Sequence, residues 1–106
     1  MILHSVFLRL PQGTDSTELS AVMGGLNQLC RDLPGCAGFQ HGPNRDFEAK
    51  SPDYPYGFVA QFRNAEALET YAAHPEHKAL GARLVELCIG GAEGIVVYDL
   101  DTVAGA

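Results

Sequence analysis

Positive charge is scarce in this chain. Its 106 residues hold 7 Lys and Arg against 13 Asp and Glu, a formal net charge of −6. A surface of that sign repels a phosphate backbone, so no nucleic acid partner is expected. Long apolar runs are missing too. No stretch approaches the roughly 20 residues that span a bilayer, so no membrane partner is expected either. The opening Met1-Ile2-Leu3-His4-Ser5 lacks the basic region of a secretion signal, and the expected location is cytoplasmic. There is no internal repeat and no low-complexity segment.

Cysteine is sparse, and its three copies form no CxxC pair. In a reducing compartment Cys30, Cys36 and Cys88 are expected as small buried hydrophobes rather than a disulfide framework. A nucleophilic role for Cys30 or Cys36 near His41 would need a shifted thiol pKa. Zinc lacks its ligands: His74 and His77 are three residues apart, but no cysteine lies near them and a closed site takes four donors. No metal or organic cofactor is expected.

What is present suffices for one small domain with a core, since 46% of the residues are hydrophobic. Residues 2–10 alternate as a strand, with Ile2, His4, Val6, Leu8 and Leu10 on one face and Leu3, Ser5, Phe7 and Arg9 on the other. Asp15 followed by Glu18 resembles a capping box. Leu19, Val22, Met23, Leu26, Leu29, Cys30 and Leu33 then form a helical stripe that Leu33-Pro34-Gly35 ends. Gly24-Gly25 weakens this helix, or else admits the close approach of another backbone. A second strand is expected over 36–42, a polar loop over 43–55, and a third strand over 56–62. Asn64 caps the next helix, which Pro75 interrupts and which runs to about Cys88 before Gly90-Gly91. A fourth strand covers 94–100. Residues 1–100 thus read as a single domain, and 101–106 as a frayed C-terminal tail.

The order β-α-β-β-α-β is that of an α+β, ferredoxin-like fold with an antiparallel four-stranded sheet. Two helical segments cover only one face of such a sheet. Phe7 opposite Val6 and Tyr98 opposite Val97 make both faces apolar, so the uncovered one predicts a homodimer, sheet against sheet.

The chemistry concentrates in Tyr71-Ala72-Ala73-His74-Pro75-Glu76-His77. Pro75 suits the first turn of a restarted helix. With His74 just before that turn, His77 falls on its third position, where the helix dipole disfavours imidazolium and favours a neutral ring able to act as a base. Tyr71, one turn before the break, can share its pocket. The same spacing also suits an amphipathic core tyrosine followed by two solvated turn histidines.

These residues carry a resemblance. Ile2-Leu3-His4-Ser5-Val6-Phe7, Tyr56-Gly57-Phe58 leading to Phe62, the Tyr71-to-His77 segment and Ile95-Val96-Val97-Tyr98-Asp99 together resemble the stress-responsive dimeric α/β-barrel (Dabb) family, which includes the plant olivetolic acid cyclase. The resemblance implies a dimeric α/β barrel. From the cyclase branch it implies Tyr71 as the residue that orients substrate and His77 as the base of a cofactor-independent aldol closure, with His4 matching a pocket histidine. Tyr56 stands where that branch has another histidine, a departure that argues against the same substrate. Tyr56, Phe58, His4 and His74 are therefore the expected substrate-binding residues, and His77 and Tyr71 the catalytic ones. His4 equally suits a core histidine satisfied by a carbonyl, His74 a helix cap, and His41 a solvated strand end. The expected function is a homodimer with a pocket for an unidentified small molecule, acting as a cyclase or lyase on a carbonyl compound. A non-catalytic metabolite-binding dimer is the alternative. A cofactor-free monooxygenase or haem-handling relative ranks last, because nothing marks a haem ligand or an oxygen-activating group.

Overall fold

A computed structural model describes residues 1–103 of the chain. Strand β1 (Ile2–Leu8) leads to helix α1 (Ser16–Asp32), strand β2 (Cys36–Pro43) and strand β3 (Tyr56–Phe62). Helices α2 (Ala65–Ala73) and α3 (Pro75–Leu87) follow, and a short 3₁₀ turn at Gly91–Gly94 precedes strand β4 (Ile95–Asp101). The sheet order is β2-β3-β1-β4 with every pairing antiparallel. This is the ferredoxin-like α+β arrangement, with all the helices on one face. β1 is two residues shorter than its alternation suggests. β4 includes Asp101, one residue beyond the expected domain boundary, and the Thr102 N–H donates to the Met1 carbonyl at 2.9 Å. The end of the expected tail, residues 104–106, lies outside the described residues.

Local chemistry sets the helix ends. The Asp15 carboxylate accepts from the N–H groups of Thr17 at 2.9 Å and Glu18 at 3.1 Å, so it caps α1 as its spacing implies. Glu18 does not close a capping box. Its carboxylate instead takes both Nε and Nη2 of Arg83, tying α1 to α3. The Asn64 side chain caps α2 by accepting from Ala67 N–H at 2.9 Å. At the other end of α3, Gly90 and Gly91 adopt φ values of +79° and +63°, which only glycine takes cheaply, and they turn the chain back toward β4.

The core lies between the helices and one sheet face. Val6 and Leu8 of β1 and Phe58, Ala60 and Phe62 of β3 meet Val22, Met23, Leu26 and Leu29 of α1, all buried. The strand registers put Leu3, Phe7, Val59, Val96, Tyr98 and Leu100 together on the opposite face. Tyr98 and Leu100 are 59% and 56% exposed there, and the Phe7 and Tyr98 rings pack edge to face, their centroids 6.3 Å apart. Alternation thus sorts the β1 residues between the two faces correctly, and the structure shows that the Val6 side is the core and the Phe7 side the open face.

The cysteines depart from expectation. Cys30 and Cys36 are joined by a disulfide across the α1–β2 turn, while Cys88 alone is a free, buried thiol. The turn at Leu33-Pro34-Gly35 brings the two Cα atoms to 5.2 Å, well within disulfide reach, a proximity that a spacing of six residues does not reveal.

Candidate functional site: the Tyr71–His77 cluster

His74 ends α2 and begins α3. Its φ of −66° and ψ of 135° break the helix, and its Nδ1 accepts from the Glu76 N–H at 3.1 Å. Pro75 then occupies the first helical position, where its missing N–H costs nothing. His77 is consequently on the third residue of α3, as the sequence predicts, and points back beneath α2. Its ring lies over that of Tyr71, centroids 4.6 Å apart. Tyr71 is fully buried and also packs on Phe62 at 4.9 Å and on His4 at 6.0 Å.

Two polar atoms in this cluster are orphans. Tyr71 Oη and His77 Nδ1 are both buried without a hydrogen-bond partner. A buried polar atom left unpaired costs about 1–3 kcal/mol, so native folds seldom keep two side by side. Burial drives the Tyr71 phenol far above its ordinary value, and the hydroxyl stays a neutral donor at physiological pH. Burial likewise lowers the His77 pKa. The positive potential of His4 and, more weakly, of His74 adds to this effect, and the Ala72 carbonyl opposes it. His77 is therefore a neutral ring at pH 7.

His4 supplies a third imidazole from β1. Its Nδ1 is 2.6 Å from Asp99 Oδ1, and the two residues are direct cross-strand partners of β1 and β4. An ionised carboxylate only accepts, so Nδ1 carries a proton and donates it to Asp99. The His4 side chain is 13% exposed and that of Asp99 45%, so the pair reaches from the cluster to solvent along the β4 edge. Sequence reading missed Asp99. The available signal was its inward parity on β4, two residues beyond Val97, but only the register shows that it faces a histidine.

The other expected residues are distributed unequally. Phe58 is buried, stacked on Phe39 at 5.3 Å and 6.5 Å from the His4 ring, so it forms the apolar wall beside the cluster. His74 is a helix cap one turn from the orphan pair. Tyr56 is not part of the cluster. It lies at the opposite end of β3 from Phe62, about 20 Å along the strand, and its hydroxyl is 2.5 Å from His41 Nδ1. Burial raises its phenol pKa. His41 is exposed as expected, but it belongs to β2 and is paired. A cleft of about 420 Å³ opens elsewhere, on the outer sheet face, between Phe7, Tyr98 and the loop at Lys50–Tyr54. Among the described residues no group of three or more His, Cys, Asp or Glu is placed to hold a metal ion, and no helix is long and apolar enough to cross a membrane.

A ferredoxin-like sheet with a broken helix pressing a tyrosine and a histidine onto its first strand defines a class of small α/β-barrel domains. The chain belongs to the stress-responsive A/B barrel domain family, Dabb, whose model matches residues 2–102. A dimeric ferredoxin-like protein from Jannaschia sp. CCS1 is 44% identical, with a TM-score of 0.90 over 95% of this chain and 98% of that one. A protein from Arabidopsis thaliana shares the fold at 18% identity and a TM-score of 0.82, covering 100% of this chain and 99% of that one. A hydroxynitrile lyase from Passiflora edulis does so at 14% identity and a TM-score of 0.76, covering 97% and 96%. No curated protein sequence matches the chain.

Proposed function

We propose that this Dabb-domain protein is a cofactor-independent lyase or cyclase that acts on a small carbonyl compound, polyketide-like in its activated C–H groups, and works as a homodimer. One observation carries the reading: Tyr71 Oη and His77 Nδ1, on rings whose centroids are 4.6 Å apart, are both buried and unpaired. A carbonyl compound that reaches the edge of both rings would satisfy both atoms. The Tyr71 hydroxyl donates to the carbonyl oxygen, and neutral His77 takes the proton from the adjacent carbon. The resulting enolate keeps its negative charge on the oxygen that Tyr71 holds, in a setting where burial strengthens the bond. The enolate carbon then attacks a second carbonyl, forming a C–C bond, and the new alkoxide recovers the proton from His77. Run backwards, the same steps cleave such a bond. His4, held by Asp99, adds a polar ring for a substrate hydroxyl, with Phe58 as the apolar wall and His74 fixing the turn that places His77.

The Passiflora neighbour supports this reading only through its fold, as an instance of lyase chemistry on the same scaffold. The dimeric state of the Jannaschia relative supports the homodimer, which would cover the outer apolar sheet face. A cytoplasmic location fits the acidic, compact domain. Exchange of the protons next to the carbonyls of a 1,3-diketone, followed by NMR in deuterated buffer, tests the proposal. The native protein should accelerate exchange, His77→Gln should lose about 10²–10⁴ of that acceleration, and Tyr71→Phe should lose less. Binding of the diketone without any acceleration would favour a non-catalytic metabolite-binding dimer instead.

A further inference from the structure

The Cys30–Cys36 disulfide plays no part in that chemistry and lies at the turn between α1 and β2. It closes a loop of only six residues in separation, so the chain entropy it removes is small beside that of a long-range staple. The turn beneath it is also held independently. Leu33 N–H donates to the Cys30 carbonyl at 3.3 Å and Cys36 N–H to the Leu33 carbonyl at 3.1 Å. Just past β3, Arg63 donates through its backbone N–H to the Gly35 carbonyl at 2.9 Å and through Nη2 to the Pro34 carbonyl at 3.0 Å. With the backbone pinned this way, the two sulfurs stay neighbours whether or not they are bonded.

They are also reachable. A surface cleft of about 300 Å³ is lined by both cysteines together with Asn27, Arg31 and Phe39. Cys30 is 3% exposed, whereas Cys36 is partly open, so an incoming group meets Cys36 first. Arg31 has no hydrogen-bond or ion-pair partner among the described residues. The neighbouring Asp32 is bonded by Gln28 Nε2 at 3.0 Å. The cleft therefore offers one uncommitted cation beside an accessible disulfide sulfur.

We propose that this cleft is a thiol–disulfide exchange site for a carboxylate-bearing low-molecular-weight thiol of the glutathione class. The thiolate attacks Cys36 Sγ. A Cys36–S–S–R bond forms as the Sγ–Sγ bond breaks, and the electron pair leaves on Cys30 Sγ, which takes a proton from water. A second thiolate attacks the mixed disulfide on its outer sulfur, releasing the oxidised thiol and leaving Cys36 as a thiolate that is protonated in turn. Two thiols are oxidised to one disulfide as the protein disulfide is reduced to two thiols. The reduced Cys36 finds an acceptor in the Gly38 carbonyl, 3.9 Å from its sulfur. Arg31 attracts the carboxylates of the incoming thiol.

Equilibration of the native protein in graded glutathione redox buffers, with alkylation, intact mass measurement and peptide mapping, tests this. The expected result is a folded dithiol form in equilibrium with the disulfide, and a glutathione adduct that maps to Cys36. Arg31→Glu should slow opening by glutathione about tenfold, the size of a surface charge reversal, while leaving opening by uncharged 2-mercaptoethanol unchanged. Cys30→Ser should leave Cys36 able to take up glutathione from its disulfide. A disulfide that opens only in denaturant would overturn the proposal, as would an adduct on Cys30 or an equal effect of Arg31→Glu on both thiols.

Discussion

Tyr71 and His77 each forgo a hydrogen bond in the folded chain, and that has measurable consequences for stability. Tyr71→Phe removes the orphan hydroxyl and keeps the ring that packs on Phe62 and His77, so it should raise stability by about 1 kcal/mol or more in the ligand-free protein. Denaturant melts would show this as a higher midpoint with an unchanged slope. The lowered pKa of His77 gives a second test. The unfolded chain protonates this ring near the ordinary value of 6.5, whereas the folded one resists. Between those values the unfolded state binds more protons, so this residue's contribution falls as pH drops below about 6.5 and is constant above it. His77→Gln should flatten that decline in melts between pH 7 and 5. The position of His77 was legible in the sequence because Pro75 fixes the helix register. The His4–Asp99 pair was not, because its members are 95 residues apart and only the β1–β4 register joins them.

At the scale of elements, the α1–α3 contact tests how packing and propensity compete. A Cβ on Gly25 would come within 2.8 Å of Leu80 Cδ2 on α3, while one on Gly24 would meet nothing within 4 Å. Gly24→Ala should therefore gain the full helix propensity, about 1 kcal/mol or some 4–8 °C in Tm for a domain of this size. Gly25→Ala should gain less or lose stability, because crowding a packed contact costs about 1–3 kcal/mol. Thermal melts of the two variants should differ in that order. The close approach that the glycine pair suggests is real at one of the two positions, and a side chain rather than a backbone makes it. Strands and helices were legible because alternation, caps and glycine stops agree in each segment. The disulfide was hidden because the cysteines were expected in a reducing compartment, and nothing in Cys-x₅-Cys reveals that Arg63 and the Leu33 turn draw the two ends together.

For the whole molecule, the open sheet face is the principal unsatisfied surface. A sheet-to-sheet homodimer would cover Phe7, Val96, Tyr98 and Leu100 and bury more than about 1,200 Å² in total. Light scattering should give twice the 11.3 kDa chain mass at micromolar concentration. Tyr98→Asp places a charge on that face and should shift the equilibrium to monomer without unfolding the chain, as circular dichroism would report. A native monomer would remove the support that the apolar face gives to the dimer.

The pH–rate profile of diketone proton exchange tests the central proposal most directly, because it reads the base and the donor in one experiment. A base at His77 predicts a rate that rises with pH, with its inflection below 6.5, and a plateau that continues past pH 10 because the Tyr71 phenol stays protonated. His77→Gln should remove the inflection together with the activity. An inflection at or above 6.5, or one that survives in His77→Gln, would contradict the assignment of His77 as the base.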